Sequence, residues 1–90
     1  DHAAADEVFY ALVKPVHERH GAEFAGRYRD AAGRVVVMWR YADEAELERI
    51  QAAVAADPDT LRHRQQRLSA GLHGLDFSEY VLYPTDALSG

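Results

Sequence analysis

The run Val35-Val36-Val37-Met38-Trp39 is apolar at every position. Successive side chains of a strand point to opposite faces, so a strand with one face in water alternates apolar and polar. This run therefore predicts a strand covered on both sides. The chain has 90 residues, enough for one domain, 1–90, with a modest core. The helices of so short a chain cover one face of a small sheet. The other face, carrying Val36 and Met38, needs a second cover, and a copy of the same sheet related by two-fold symmetry is the economical one. Small domains otherwise gain stability from disulfides or metals. The sequence contains no cysteine, which excludes disulfides and thiolate metal sites. A homodimer is expected; the competing reading is a short apolar run in the core of a monomer.

The net charge of −5 repels a phosphate backbone, so no nucleic-acid partner is expected. No apolar run approaches the length of a membrane span, and no secretory signal is visible. Absence of cysteine fits a reducing, cytoplasmic setting. Lys14 is the only lysine, and the abundance of Arg and Ala suggests a GC-rich bacterial genome. The chain opens Asp1-His2-Ala3 without Met, and a first strand or targeting segment upstream of Asp1 is expected.

Ala3 to His20 reads as a helix, with Val8, Leu12 and Val16 recurring every four residues. Pro15 lacks a backbone donor and crowds the carbonyl of Ala11, which predicts a kink. Gly21 is the stop. Glu23 to Arg29 and Arg34 to Tyr41 read as strands around the turn Asp30-Ala31-Ala32-Gly33. With that loop Arg29 lies opposite Arg34 and Glu23 opposite Arg40. One face then carries Phe24, Gly26, Tyr28, Val35, Val37, Trp39 and Tyr41; the other carries Glu23, Ala25, Arg27, Val36, Met38 and Arg40. Asp43 and Glu46 form a capping box for a helix with the stripe Leu47, Ile50 and Val54. Asp57-Pro58 restarts the helix with the stripe Leu61, Leu68 and Leu72, closed by Gly74. Phe77 to Tyr83 is the last strand, and residues 85–90 are weakly patterned. The order is α, β, β, α, α, β.

The stretch Pro15 to Tyr28, with its Arg19-His20-Gly21 and a following strand bearing Gly26 and an aromatic, resembles the NIPSNAP family. So does the apolar strand ending Trp39-Arg40-Tyr41, and so does the Ala-rich helix running into Asp57-Pro58. The likeness spans Val8 to Tyr83. It implies an α+β fold: a ferredoxin-like antiparallel sheet with helices on one face, assembled as a dimeric α/β barrel by packing two sheets. It also implies a small-molecule cleft between sheet and helices. The wider group includes cofactor-free monooxygenases, polyketide cyclases and haem-degrading enzymes. The family's first strand is absent from the start of this chain.

Several residues are candidates for chemistry. His17 and His20 are three apart on a helix, short of the i, i+4 spacing that favours metal chelation. His17 projects away from the apolar stripe and His20 lies near its edge, so His20 is the candidate acid or base; the plainer role is a cation at a helix C-terminus. Tyr28, Trp39 and Tyr41, sharing a sheet face, would hold an aromatic ligand, or simply form core. Arg64 and Gln65 fall between Leu61 and Leu68 on the inward side of their helix. There Arg64 would grip a carboxylate or enolate and stabilise developing negative charge, or would merely snorkel to water. His63 reads as solvated, and His73 sits near a helix end.

No phosphate loop, activated Ser or closed ligand set is present, and no cofactor or metal is expected. The lead expectation is a homodimer whose cleft binds a small, partly apolar, anionic molecule. If catalytic, it would use proton transfer or oxygenation without a cofactor. The alternative is a non-catalytic assembly or regulatory module. A haem-degrading relative would need an axial histidine that the sequence does not offer.

Overall fold

A computed structural model describes residues 2–71 and 78–85. It is α+β: a helical rod, a two-stranded antiparallel sheet and two further helices. The rod comprises α1 (His2–Val8), a π-helical segment (Phe9–Val13) and α2 (Lys14–Arg19); then come β1 (Glu23–Arg29), β2 (Val35–Arg40), α3 (Glu44–Ala56) and α4 (Pro58–Ser69). The order through α4 agrees with a partial ferredoxin-like fold.

Pro15 distorts the rod, but one turn earlier than its own position. The Lys14 N–H reaches back five residues to the Phe9 carbonyl, so an extra residue widens the helix just before the proline. A π-bulge absorbs the donor that Pro15 lacks and relieves the clash with the preceding turn. The rod ends at Gly21, φ +105°. There the Ala22 N–H bonds the His17 carbonyl at 3.0 Å and the Gly21 N–H bonds that of Glu18 at 3.1 Å, a Schellman stop. Gly21 is favoured by its φ; a Cβ there would meet the Arg49 guanidinium at 3.3 Å and Ile50 at 3.5 Å, a contact that a small movement of the Arg49 side chain relieves.

The hairpin register agrees with expectation at its open end, where Glu23 pairs with Arg40 and Phe24 with Trp39. The Arg40 guanidinium donates to Glu23 at 3.0 Å. Towards the turn the register is one residue off: Gly26 pairs with Met38, Arg27 with Val37, Tyr28 with Val36 and Arg29 with Val35. Ala25 is the extra residue of a β-bulge, and Gly26 beside it sits at φ +144°. The bulge exchanges the two faces of β1 beyond it and leaves the alternation of β2 unchanged. Phe24, Arg27, Val37 and Trp39 consequently face the helical rod. Gly26, Tyr28, Val36 and Met38 face away.

The core lies where the rod meets the sheet and α3, with Phe9, Val16, Ala22 and Ile50 buried. Phe9 packs against Phe24 and Trp39 at centroid distances of 5.8 and 6.1 Å. Asp43 caps α3 through its carboxylate and the Glu46 N–H at 2.8 Å. Glu46 directs its own carboxylate to Arg49, which also donates to the His20 carbonyl. That replaces the return half of the expected capping box with a tie to the end of α2.

Two expectations beyond α3 are corrected. α4 ends at Ser69, with Gly71 at φ +79° as its stop; Leu72, His73 and Gly74 lie outside the described residues. Residues 78–83 form no strand, because they pair with neither β1 nor β2, and a strand exists only against a neighbour. Phe77 lies outside the described residues. Tyr80, Val81, Leu82 and Tyr83 are exposed. The Tyr83 hydroxyl donates to the Glu44 carboxylate.

Candidate functional site

Two groups of side chains carry chemistry, and the end of α2 belongs to the first. Asp57, the N-cap of α4, is buried, with a side chain 3% exposed. Its carboxylate accepts from the Asp59 N–H at 2.9 Å, from Arg19 at 3.0 and 3.2 Å, and from His20 Nε2 at 2.7 Å. Arg19 also reaches Asp59 at 3.1 Å. Burying a carboxylate is costly unless its lone pairs are occupied, and here four donor contacts occupy them. The bond from His20 holds Asp57 below the ordinary aspartate value. The Asp59 N–H and the Arg19 charge act in the same direction, against the opposing effect of burial.

This junction fixes the His20 ring through one nitrogen, Nε2, against a buried carboxylate. It also explains a local surprise. Asp57 and Asp59 are tied to the end of α2, so α4 turns the side bearing Thr60, His63 and Arg67 inward, and those three are half-buried. Leu61 and Leu68 are 47% and 61% exposed. The expected buried stripe of α4 is thus its outer face, and Arg64 and Gln65 lie there too. Together with Leu61, Leu68 and Ser69 they line an open groove. His63, expected in solvent, is on the inner side.

The second group is aromatic. Trp39 packs edge-on against Phe24 at 5.4 Å and stacks on His17 at 4.5 Å with an interplanar angle of 10°. His17 therefore faces the sheet, a correction to the expectation that it points away. The rod's π-bulge adds a residue that the regular helical count lacks, and this turns His17 inward. Its Nδ1 lies 2.7 Å from the Val13 carbonyl; a carbonyl only accepts, so Nδ1 carries the proton.

The expected aromatic trio is not assembled. Trp39 is with Phe9 and Phe24. Tyr28 lies on the opposite sheet face, folded back over Gly26, where an added Cβ would fall 2.5 to 2.8 Å from the Tyr28 ring and hydroxyl. Tyr41 follows β2; its phenol is pushed above the ordinary value by burial and by the Glu79 carboxylate. His20 sits at the Asp57 junction, and Arg64 and Gln65 sit on the outside of α4. Of the six expected residues only Arg64 and Gln65 share a place, the groove on α4.

Reading the sequence missed Arg19 and Asp57 as a pair, although each belongs to one of the motifs noted there, Arg19-His20-Gly21 and Asp57-Pro58. The structure joins those motifs physically. Among the described residues no three His, Asp or Glu side chains come together as a metal-binding set, and no helix is long and apolar enough to cross a membrane. No characterised protein and no solved structure matches the chain. The NIPSNAP family model matches residues 2–87. With a match across nearly its whole length, and with its two motifs meeting at Asp57, the chain belongs to the NIPSNAP family.

Proposed function

We propose that this domain is a homodimeric assembly module in which the outer face of the sheet packs against the same face of a second copy. The observation that carries this is the composition of that face. Tyr28, Val36 and Met38 are 59%, 53% and 41% exposed, and they adjoin one another through the Tyr28–Val36 and Gly26–Met38 pairs. An apolar patch on a two-stranded sheet is unfavourable in water, and an isolated hairpin is marginal in stability. The patch is uncharged, and the Glu23–Arg40 pair at its edge neutralises itself. A two-fold copy therefore meets no like-charge penalty.

Three side chains are less than the roughly 800 Å² per partner that a stable interface uses. Tyr80, Val81 and Leu82 are exposed apolar residues as well. The cysteine-free, Arg- and Ala-rich composition supports a bacterial, cytoplasmic setting.

The test is solution mass by sedimentation equilibrium for the native chain and for Val36→Glu. A native dimer that becomes monomeric in the variant supports the reading, and a native monomer refutes it.

A second reading, catalysis without a cofactor, has one specific observation in its favour: His20 is held through Nε2 by the buried Asp57. In that reading His20 moves the proton, and Arg64, Gln65, Tyr28, Trp39 and Tyr41 are the candidate substrate-binding residues. Small-molecule mass retained on the dimer in native mass spectrometry would favour it. A dimer of clean mass would favour the assembly module.

A further inference from the structure

We propose that Arg27 and Arg29 form a binding site for a small aromatic carboxylate, a place that the carboxylate of Asp6 takes in this structure. The site lies on the helix-facing side of β1, away from Asp57. Both guanidiniums converge on one oxygen, Asp6 Oδ1, at 2.5 Å from Arg27 and 2.9 Å from Arg29. Two cations on one carboxylate leave a net positive site in a chain of charge −5.

Arg27 is the unusual member. Its side chain is 10% exposed, and its Nε–H is buried with no acceptor among the described residues. A buried donor without a partner is costly, and structures rarely leave one unless something else supplies the acceptor. Asp6 does not do so: its Oδ1 takes Nη1 of Arg27 and Nη2 of Arg29 and leaves the Arg27 Nε–H unmet. A free carboxylate can, because it places two oxygens side by side across the Nε and Nη edge of a guanidinium.

The class of ligand follows from the walls. The Arg27 guanidinium carbon lies 4.9 Å from the Phe9 ring centroid and 5.8 Å from that of Tyr10. Tyr10 is half exposed and meets Phe9 edge-on at 5.0 Å. A flat ring attached to the carboxylate would extend this edge-to-face array. Two further features make Asp6 displaceable. It is 37% exposed, and α1, which carries it, has no buried residue. The ion pair is therefore a tether that an incoming anion competes for, not a joint locked by packing.

Isothermal titration of benzoate into the native 90-residue chain and into Asp6→Asn tests this. Removing the internal carboxylate should tighten saturable benzoate binding by about tenfold or more. Adding Arg29→Gln to Asp6→Asn should abolish it while circular dichroism shows the fold retained; Arg29 is chosen because Arg27 packs against Phe9. Inorganic phosphate should bind more weakly than benzoate to Asp6→Asn. The proposal is overturned if Asp6→Asn shows no saturable benzoate binding, if Arg29→Gln leaves that binding intact, or if phosphate binds as well as benzoate.

Discussion

The two faces of the sheet are built from the same five-residue apolar run, yet they have opposite fates. On the inner face Trp39 and Val37 lie beneath the helical rod, with Phe9, Phe24 and His17 closing around the indole. On the outer face Val36 and Met38 lie open beside Tyr28. Composition does not distinguish them. What does is the supply of covering elements: one helical rod, tied at Asp57 and Asp6, shields one side of a two-stranded sheet and no more. The inner face therefore stabilises the chain, and the outer face is available for association.

Trp39→Ala should produce the largest effect, since it removes the centre of the inner face. A loss of about 3–5 kcal/mol is expected from deleting so large a packed side chain, enough to unfold a domain of marginal stability. Urea denaturation of the variant would measure it. A loss comparable to that of an exposed residue would break the distinction between the faces.

Val36→Glu tests the outer face in the same currency. Placing a charge in an apolar two-fold interface brings two like charges together, and the dimer should weaken by at least about 100-fold. At chain concentrations low enough for the native protein to be monomeric as well, the denaturant stabilities of the two should scarcely differ, since dimerisation adds stability only by mass action. A fall in that stability as large as for Trp39→Ala would mean that the outer face is core after all.

The polar junction that holds the rod in place should reveal itself through pH. Asp57 is held below the ordinary aspartate value of 3.8. The folded state therefore binds fewer protons than the unfolded state, and the stability from this carboxylate is complete above 3.8 and is lost as pH falls through its lower folded value. Asp57→Asn should be less stable than the native chain at pH 6, and the two stability curves should converge below 3.8. Asp6, Asp30 and Asp59 are lowered too, so the variant keeps part of the acid sensitivity.

Gly26→Ala is a finer probe of the bulge that sorts the faces. Its φ of +144° disfavours a Cβ, and Tyr28 occupies the space. The loss should be about 1 kcal/mol or somewhat more, with a changed environment for Tyr28 in NMR spectra. The smallest effect belongs to Arg64→Ala on the exterior of α4, within about 0.5 kcal/mol in stability.

The parts of this fold that were legible in the sequence are those set by local rules. The helix stop at Gly21, the Asp43 and Asp57 caps, the two strands and the Glu23–Arg40 pair follow from periodicity and capping chemistry. Tyr28 was assigned to the wrong face because strict alternation was carried through a strand containing Gly26. A glycine inside a strand is itself a bulge signal, and it would have warned of the slip. The rotation of α4 was not legible, because its few leucines pointed one way and the long-range tie from Arg19 to Asp57 and Asp59 turned it the other. Asp57 was recognisable as a cap, but its burial beneath Arg19 and His20 depends on contacts almost forty residues apart.

The most direct test of the account is the mass of the native chain by sedimentation equilibrium across a range of concentrations, beside Met38→Glu. Twice the chain mass of 10.1 kDa, collapsing to a single chain in the variant, is the predicted result. A native chain that stays monomeric throughout, with Val36 and Met38 still open to water, would contradict it.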